Sequence, residues 1–402
     1  MNDLLERLAA VNPVPECEKP SIEEVWRKVA ELDARPRVAR TRRRIGLSSR
    51  PVRALPVLAA LAIPMIVVLV VAIPLLDARH TLIGPTAPGV SHARTSLDAA
   101  AQRVAAQQLA GRVGAVVAID PRTGAIKAMY ASSSPGPATQ AEYPPGAAFE
   151  IVTAAAALDS GLYRPNTLIA GPSPLSVSGV PLQNEGNESF GRITLTKALT
   201  YSVNTVFAQV GQTIGRRRMA RYMKRFGFYS APQLGEPASK LPASGTRLGG
   251  KLVLPTSRLV DLGRLAIGEG ELAVTPLQMA MVAAAVADGG KLIAPRLDSR
   301  ATNQGRVVKP ATARELEQMM SDVVAQGTGT PAGVAGVRIA GKTGTAPVGA
   351  PGSGQTDPWF IGFAPASHPT IAIAVALQGV HGGFGGTDAA PIAAKVIEAL
   401  LR

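Results

Sequence analysis

Three adjacent residues, Lys342, Thr343 and Gly344, form the stretch of this 402-residue chain with the clearest capacity for chemistry. They belong to an apolar, strand-like run, IAGKTGTA, in which Thr345 adds a second hydroxyl. Because glycine has no side chain to hold another backbone away, the run predicts an edge strand beside which an extended ligand can lie. Lys342 and the hydroxyls would then hold an anionic group at the ligand's end. The alternative is a buried strand in which threonine and glycine only pack.

Two other stretches carry residues that could share a site with this strand. Ser202 and Asn204 lie in ALTYSVNTVF, and the sequence YPPG leads into Ala147 and Glu150. The chain also contains GAVVAIDPRTGAIKAM and AIGEGELAVTPLQMA, and WFIGFAP follows the lysine motif closely.

The order of these motifs resembles that of penicillin-binding proteins and serine β-lactamases, in which S-x-x-K, S-x-N or S-D-N, and K-T-G follow one another. Over about residues 95 to 401 the chain resembles the transpeptidase domain of the membrane-anchored, monofunctional class B type. The resemblance implies an α/β (α+β) fold, a mostly antiparallel sheet flanked by helices. It also implies the chemistry of a serine D,D-transpeptidase, which crosslinks peptidoglycan stem peptides by acyl transfer.

The first motif departs from the family at its two reactive positions. Where the family has the serine nucleophile and the lysine base, this chain has Ala147 and Glu150. Acyl transfer needs a hydroxyl that attacks the carbonyl and an amine that helps remove its proton. Loss of such a serine costs on the order of a million-fold in turnover in a well-studied protease. Ser132 to Ser134 and Thr153 are the other hydroxyls considered, and neither position predicts a nucleophile.

Ligand recognition is less affected by these changes. The resemblance implies that the backbone N–H groups of Ala147 and Thr345 face a substrate carbonyl, and backbone donors survive a change of side chain. It assigns Asn204 to a substrate amide, and Lys342, Thr343 and Thr345 to a carboxylate. Glu150 is expected to pair with Lys342 or to accept hydrogen bonds from Ser202 or Asn204, because a lone buried carboxylate is costly. The alternative is that Glu150 faces solvent.

Periodicity and turn residues predict the elements that must position these side chains. A β-hairpin is predicted around Asp120 to Gly124, where turn residues separate two apolar runs. Helix caps and closing glycines predict helices at about 96–110, 148–160, 194–214, 216–226, 276–288, from Thr312, and 389–401. Strands are predicted to alternate from 337 to 377. This order is typical of an α/β-type domain.

The formal charge of +14 is not spread evenly along the chain. Residues 35 to 53 contain eight arginines and no acid, and residues 54 to 76 carry no charge. About 20 apolar residues span a bilayer as a helix. The pattern therefore predicts a basic cytoplasmic tail (1–53), a transmembrane helix (54–76), a linker (77–94) and an external domain (95–402), with the tail inside by the positive-inside rule. A cleaved signal peptide and a nucleic-acid site are the alternatives that the pattern does not favour.

Neither a metal site nor a cofactor is predicted. The single Cys17 lies in the predicted tail, and the four histidines show no metal-ligand spacing. The sequence thus predicts a single-pass protein of the plasma membrane that acts in cell-wall synthesis as an inactive binding or scaffold member. It is expected to bind a stem peptide or a β-lactam non-covalently and to contact other cell-wall synthesis proteins. The alternatives are an active D,D-transpeptidase and a wall or β-lactam sensor.

Overall fold

The computed structural model describes residues 95–132, 140–232, 234, 241–297, 303–350 and 352–402. Among these residues, no helix combines the length and the apolar character that crossing a membrane requires. The predicted tail, transmembrane helix and most of the linker lie outside the described residues.

The described helices alternate with short strands. The helices are α1 (Ala99–Gln108), α2 (Glu150–Asp159), α3 (Leu195–Thr200), α4 (Asn204–Arg225), α5 (Leu262–Ala266), α6 (Pro276–Ala287), α7 (Pro310–Gln326) and α8 (Ala390–Leu401). Single 3-10 turns cover Gly146–Phe149, Glu185–Asn187 and Thr330–Ala332, and a π turn, Gly385–Ala389, leads into α8.

The strands form one main sheet and several small ones. In chain order they are β1 (Gly114–Ile119), β2 (Ile126–Ala131), β3 (Leu168–Gly171), β4 (Leu175–Val177), β5 (Val180–Leu182), β6 (Phe190–Thr194), β7 (Gly245–Leu248), β8 (Lys251–Leu252), β9 (Leu272–Ala273), β10 (Lys291–Ile293), β11 (Asn303–Arg306), β12 (Ala340–Pro347), β13 (Gln355–Ala364), β14 (Ile371–Leu377) and β15 (Val380–His381). The main sheet has the order β12-β13-β14-β1-β2, with antiparallel neighbours throughout and β15 paired to β13. The strand with the lysine motif, β12, therefore lies at an edge, as predicted.

Both faces of the main sheet are covered. Along β1, Ala115 and Val117 face a core that includes α6, while Val116 and Ala118 face a second core that includes α1 and α8. Successive strand residues point to opposite faces, so a strand covered on both sides is apolar throughout. This explains why the predicted hairpin appears in the sequence as two apolar runs, and the structure confirms it as β1 and β2.

Two predicted helices need correction. The helix expected over 194–214 is interrupted at 201–203, where Ser202 adopts a left-handed φ of 56°. The predicted division between 214 and 216 is present, because Gly215 adopts a non-helical φ of 78° that kinks α4. The helix expected to begin at Thr312 begins at Pro310, after Lys309. Thr312 instead donates its hydroxyl proton to the Asp159 carboxylate, 3.0 Å away, which also accepts the Lys309 N–H at 2.7 Å. A partner 150 residues distant has thus replaced the local cap.

Candidate functional site

The segment that carries Ala147 is held at the mouth of a pocket by contacts with distant strands. Trp359 of β13 donates its indole N–H to the Pro144 carbonyl at 2.9 Å, and Tyr143 packs edge-on against the Trp359 ring. Gly146 has a φ of 51°, and a Cβ there would lie 2.9 Å from the Thr345 carbonyl. Only glycine adopts this backbone readily. Ala147 follows in the 3-10 turn, 9% exposed, and it lines the pocket.

Glu150, Lys342 and Ser202 form a cluster adjoining this turn. The Lys342 ammonium lies 3.2 Å from Glu150 Oε2, and neither side chain has any solvent exposure. It also donates hydrogen bonds to the Ser202 hydroxyl at 2.7 Å and to the Thr343 carbonyl at 3.0 Å. The expected pairing of Glu150 with Lys342 is confirmed, and the solvent-facing alternative is wrong. The Glu150 carboxylate accepts no well-directed hydrogen bond, so the pairing is chiefly Coulombic.

Burial sets the titration of this pair. Desolvation raises the pKa of Glu150 to about 7, against the opposing attraction of Lys342. Desolvation likewise lowers the pKa of Lys342, and the Glu150 carboxylate limits that fall. Removal from water disfavours the charged form of each group, whereas the partner's charge favours it. The pair is thus held in a site where ionisation of the carboxyl group occurs near neutral pH.

Ser202 and Asn204 reach the pocket because the chain turns sharply between α3 and α4. The left-handed Ser202 projects its hydroxyl toward Lys342, and its N–H donates to the Leu199 carbonyl at 3.3 Å. Asn204 is the first residue of α4 and donates its amide to the Gln183 carbonyl at 3.1 Å. Both side chains line the pocket.

The edge strand β12 forms one wall of the pocket. Gly344 passes so close to the 3-10 turn that an added Cβ would lie 2.4 Å from the Pro145 carbonyl oxygen. The Thr343 hydroxyl shares a 2.6 Å hydrogen bond with Thr328, and the Thr345 hydroxyl accepts the Gly385 N–H at 3.1 Å. The strand therefore offers its backbone and two oriented hydroxyls to the space beside Ala147.

The pocket has a volume of about 280 Å³ and contains most of the predicted site residues. Ala147, Ser202, Asn204, Thr343, Gly344 and Thr345 line it, whereas Lys342 and Glu150 adjoin the lining and are fully buried. Sequence reasoning did not identify the remaining lining residues, Glu185, Tyr201, Thr328, Pro331, Phe384, Gly386 and Thr387. The glycine-rich run GGFGGT was the available signal for the last three.

The hydroxyls considered as substitute nucleophiles lie elsewhere or are engaged. Thr153 is fully buried and donates to the Ala266 carbonyl at 2.7 Å. Ser132 bonds the backbone of Gly114 at the end of β2, and Ser133 and Ser134 lie outside the described residues. Ser202 is the pocket hydroxyl that contacts an amine. That amine, Lys342 Nζ, lies 3.2 Å from the Glu150 carboxylate, whose negative charge favours the protonated amine. A protonated amine cannot take the proton of the Ser202 hydroxyl.

Known proteins share this architecture. Residues 114–398 match the family model described as "Penicillin binding protein transpeptidase domain". The chain belongs to this family. Peptidoglycan D,D-transpeptidase PbpA of Mycobacterium tuberculosis is 34% identical over 347 residues, which cover 72% of this chain and 67% of PbpA. Peptidoglycan D,D-transpeptidase MrdA of Acinetobacter baumannii is 31% identical, covering 74% of this chain and 52% of MrdA.

Solved structures agree with this family membership. Penicillin-binding protein A from M. tuberculosis, in a ceftriaxone acyl-enzyme complex, superposes with a TM-score of 0.70 at 28% identity, covering 77% of this chain and 79% of that one. The transpeptidase domain of Burkholderia pseudomallei penicillin-binding protein 3 gives 0.69 at 27% identity, covering 78% of this chain and 97% of that one. The fold predicted from the motif order, a penicillin-binding transpeptidase domain with an antiparallel sheet and flanking helices, is confirmed.

Proposed function

We propose that this protein is a catalytically inactive, membrane-anchored penicillin-binding-protein homologue that serves cell-wall synthesis by binding. The proposal rests on one observation: the first motif has Ala147 in place of a nucleophile, and its other reactive position, Glu150, is held in a buried ion pair with Lys342. A methyl group occupies the position from which the family's serine attacks, and a carboxylate occupies that of the lysine base. Without a nucleophile beside the carbonyl, no acyl-enzyme forms at position 147.

The remaining pocket residues support retention of a ligand. Asn204, Thr343 and Thr345 line the pocket, and the strand that carries the two threonines lies at the edge of the main sheet, where an extended peptide can add as a further strand. PbpA and MrdA are peptidoglycan D,D-transpeptidases by name, which supports a stem peptide or a β-lactam as the ligand. Binding would be non-covalent, and the protein would act as a scaffold that presents this domain to other cell-wall synthesis proteins.

The proposed location is the plasma membrane, with the amino terminus in the cytoplasm and the main domain outside. The support is the uncharged run 54–76, preceded by the arginine cluster in 35–53. Residues 95–402 would be the external domain.

Labelling with a fluorescent penicillin tests the loss of catalysis. The purified full chain is incubated with the probe, boiled in detergent and run on a gel. No fluorescent band is expected, because a non-covalent ligand does not survive denaturation. A boiling-resistant band would overturn the proposal in favour of an active transpeptidase. Ser202→Ala would then show whether the hydroxyl bound to Lys342 is the nucleophile.

The matched positive control restores both family residues. The double variant Ala147→Ser with Glu150→Lys is expected to give some penicillin labelling, whereas either change alone is expected to give none. The serine needs an amine to take its proton, and the amine needs a hydroxyl to activate. Two lysines in one buried site also favour a neutral amine at one of them. A folded double variant without labelling would mean that the pocket differs from an active one at further positions.

A further inference from the structure

The carboxyl-terminal half of α4 presents a continuous basic surface to solvent. At about 100° per residue, its solvent-facing side chains from 217 to 225 fall within an arc of about 120°. All of them are basic, and the intervening Met219, Ala220, Tyr222 and Met223 are buried in the core. This basic stripe consists of Arg217, Arg218, Arg221, Lys224 and Arg225.

Acidic partners compensate little of this charge. Arg225 lies 3.7 Å from the Asp159 carboxylate and over the Tyr222 ring, and it donates to the Val307 carbonyl. Arg217, Arg221 and Lys224 make no ion pair with any residue that the structure describes. Like charges three and four residues apart destabilise a helix. The fold therefore maintains a repulsive row of cations that a surface of opposite charge would relieve.

The end of the stripe lies on the side of the domain where the chain enters. Arg225 contacts Val307, just after β11, and Gly227 lies against Leu292 of β10. In the segment that follows β10, the Leu297 carbonyl accepts the backbone N–H of Ser96, the second described residue of the chain. The stripe and the point of chain entry thus border the same β10–β11 hairpin. Arg306 of β11 and Lys309 add exposed positive charge there.

An apolar side chain projects beside the beginning of the stripe. Arg216 donates to the carbonyls of Pro255, Ser257 and Val260, which fixes a loop next to α4. Within this loop Leu259 is 81% exposed. Positive charge attracts anionic lipid, and an exposed apolar side chain beside it adds apolar area that binding can bury.

We propose that the basic stripe rests on the anionic lipid surface of the membrane in which residues 54–76 are anchored. This rests on the anchored orientation proposed above. The linker 77–94 spans at most about 60 Å when fully extended, so the domain remains tethered within reach of the lipid surface.

Photo-crosslinking in nanodiscs tests this contact. The full chain is reconstituted in discs of phosphatidylcholine alone or with phosphatidylglycerol, each with a trace of photoactivatable phospholipid, and crosslinked peptides are mapped by mass spectrometry. Crosslinks to peptides containing residues 216–225 and 255–260 are expected to be at least about ten-fold more frequent in the anionic discs. They should decrease in 0.5 M salt, because the surface potential is then screened.

Charge-reversal variants distinguish lipid binding by the basic stripe from lipid binding by the overall positive charge of the domain. Arg217→Glu with Arg221→Glu is expected to reduce these crosslinks about ten-fold or more, whereas the control pair Arg192→Glu with Arg314→Glu should not. Thermal unfolding would confirm that both variants fold. Equal crosslinking in neutral and anionic discs, or an equal loss in the control pair, would overturn the proposal. Protection of the stripe by soluble polyphosphate without lipid crosslinks would also overturn it.

The experiment distinguishes failure of the proposed membrane anchor from failure of the proposed contact between the stripe and lipid. A chain that does not co-elute with the discs in high salt contradicts the anchored orientation. A chain that co-elutes but shows no lipid contact at residues 216–225 contradicts the stripe alone.

Discussion

At the residue scale, Ala147 and Glu150 stand where the family's first motif has serine and lysine, and Glu150 forms a buried ion pair with Lys342. The expected attraction between Glu150 and Lys342 follows from charge alone and was predictable from the sequence. Their complete burial was not, because it depends on how β12, α2 and the turn at Ser202 pack together. The hydroxyl pair of Thr328 and Thr343 also escaped prediction, since no periodic pattern links residues brought together by a turn.

A double-mutant cycle measures the interaction within this ion pair. With Glu150→Gln and Lys342→Met, the coupling at pH 8 is expected to be about 1 to 3 kcal/mol, because contacting charges in a buried site interact strongly. Lys342→Met alone should cost about 3 to 5 kcal/mol there, since it leaves a buried carboxylate without its cation. Chemical denaturation of the four proteins gives these free energies of unfolding. Coupling near zero would exclude the pair as an energetic unit.

The raised pKa of Glu150 predicts how stability changes with pH. Its value of about 7 exceeds the ordinary 4.5, so the folded state binds this proton more tightly than the unfolded chain does. The stabilisation is complete below about pH 4.5 and is lost as the pH rises through about 7. We expect the free energy of unfolding to fall by up to about 3 kcal/mol from pH 5 to 8, as a shift of this size implies.

The variant Glu150→Gln isolates this contribution. It keeps Asp357, whose pKa burial raises to about 6 and which acts in the same direction. The lowered pKa of Lys342 acts oppositely, adding stability as the pH rises toward 10.5. The fall from pH 5 to 8 should therefore be smaller in Glu150→Gln than in the parent protein. Parallel pH profiles from denaturation would show that Glu150 titrates normally in the fold.

At the element scale, local patterns predicted most helices and failed where distant contacts decide. Thr275 caps α6 as its position before Pro276 predicts. The break between α3 and α4 carries no glycine or proline at Tyr201, Ser202 or Val203, so nothing local marks it. Its support is tertiary, because the Ser202 hydroxyl meets Lys342 of β12.

The closeness of β12 to the 3-10 turn predicts the effect of a single methyl group. Gly344→Ala would place a Cβ 2.4 Å from the Pro145 oxygen and 2.8 Å from the Ala148 nitrogen. Since both are backbone atoms, the strand must move, and we expect a loss of about 1 to 3 kcal/mol in the free energy of unfolding. The control is Gly191→Ala in β6, where a Cβ meets nothing within 4 Å, and its effect should stay within about 0.5 kcal/mol. Equal stabilities of the two variants would contradict this close packing.

At the scale of the whole molecule, motif order carried more information than any single motif. A lone S-x-N is common, but several family-like stretches in one order predict the family's fold, with a mostly antiparallel sheet flanked by helices. The order of the strands in that sheet was not predicted. In the structure, β1 pairs with β14. Because α6 covers one face of that sheet and α1 and α8 the other, the strands lack the alternation that would have indicated their pairing.

The uneven charge of the chain predicts its orientation in the membrane. Eight arginines in 35–53 precede the uncharged run, and the positive-inside rule keeps such a segment in the cytoplasm. Cys17 is the sole cysteine of the chain and is expected on that side, so it can serve as a native reporter of orientation. The matched control carries Cys17→Ser with Ser91→Cys, so that its thiol follows the predicted span.

We expect a membrane-impermeant maleimide to leave Cys17 unlabelled in intact spheroplasts and to label it after permeabilisation. The charged reagent cannot cross the bilayer, so its access reports the side on which the thiol lies. The control thiol at position 91 should react without permeabilisation. Neutralising the arginines of 35–53 with glutamine should expose Cys17 in part of the population, because the charge bias that sets orientation is lost. Labelling of Cys17 in sealed cells, with position 91 protected, would mean that the pocket domain lies in the cytoplasm, away from any cell-wall ligand.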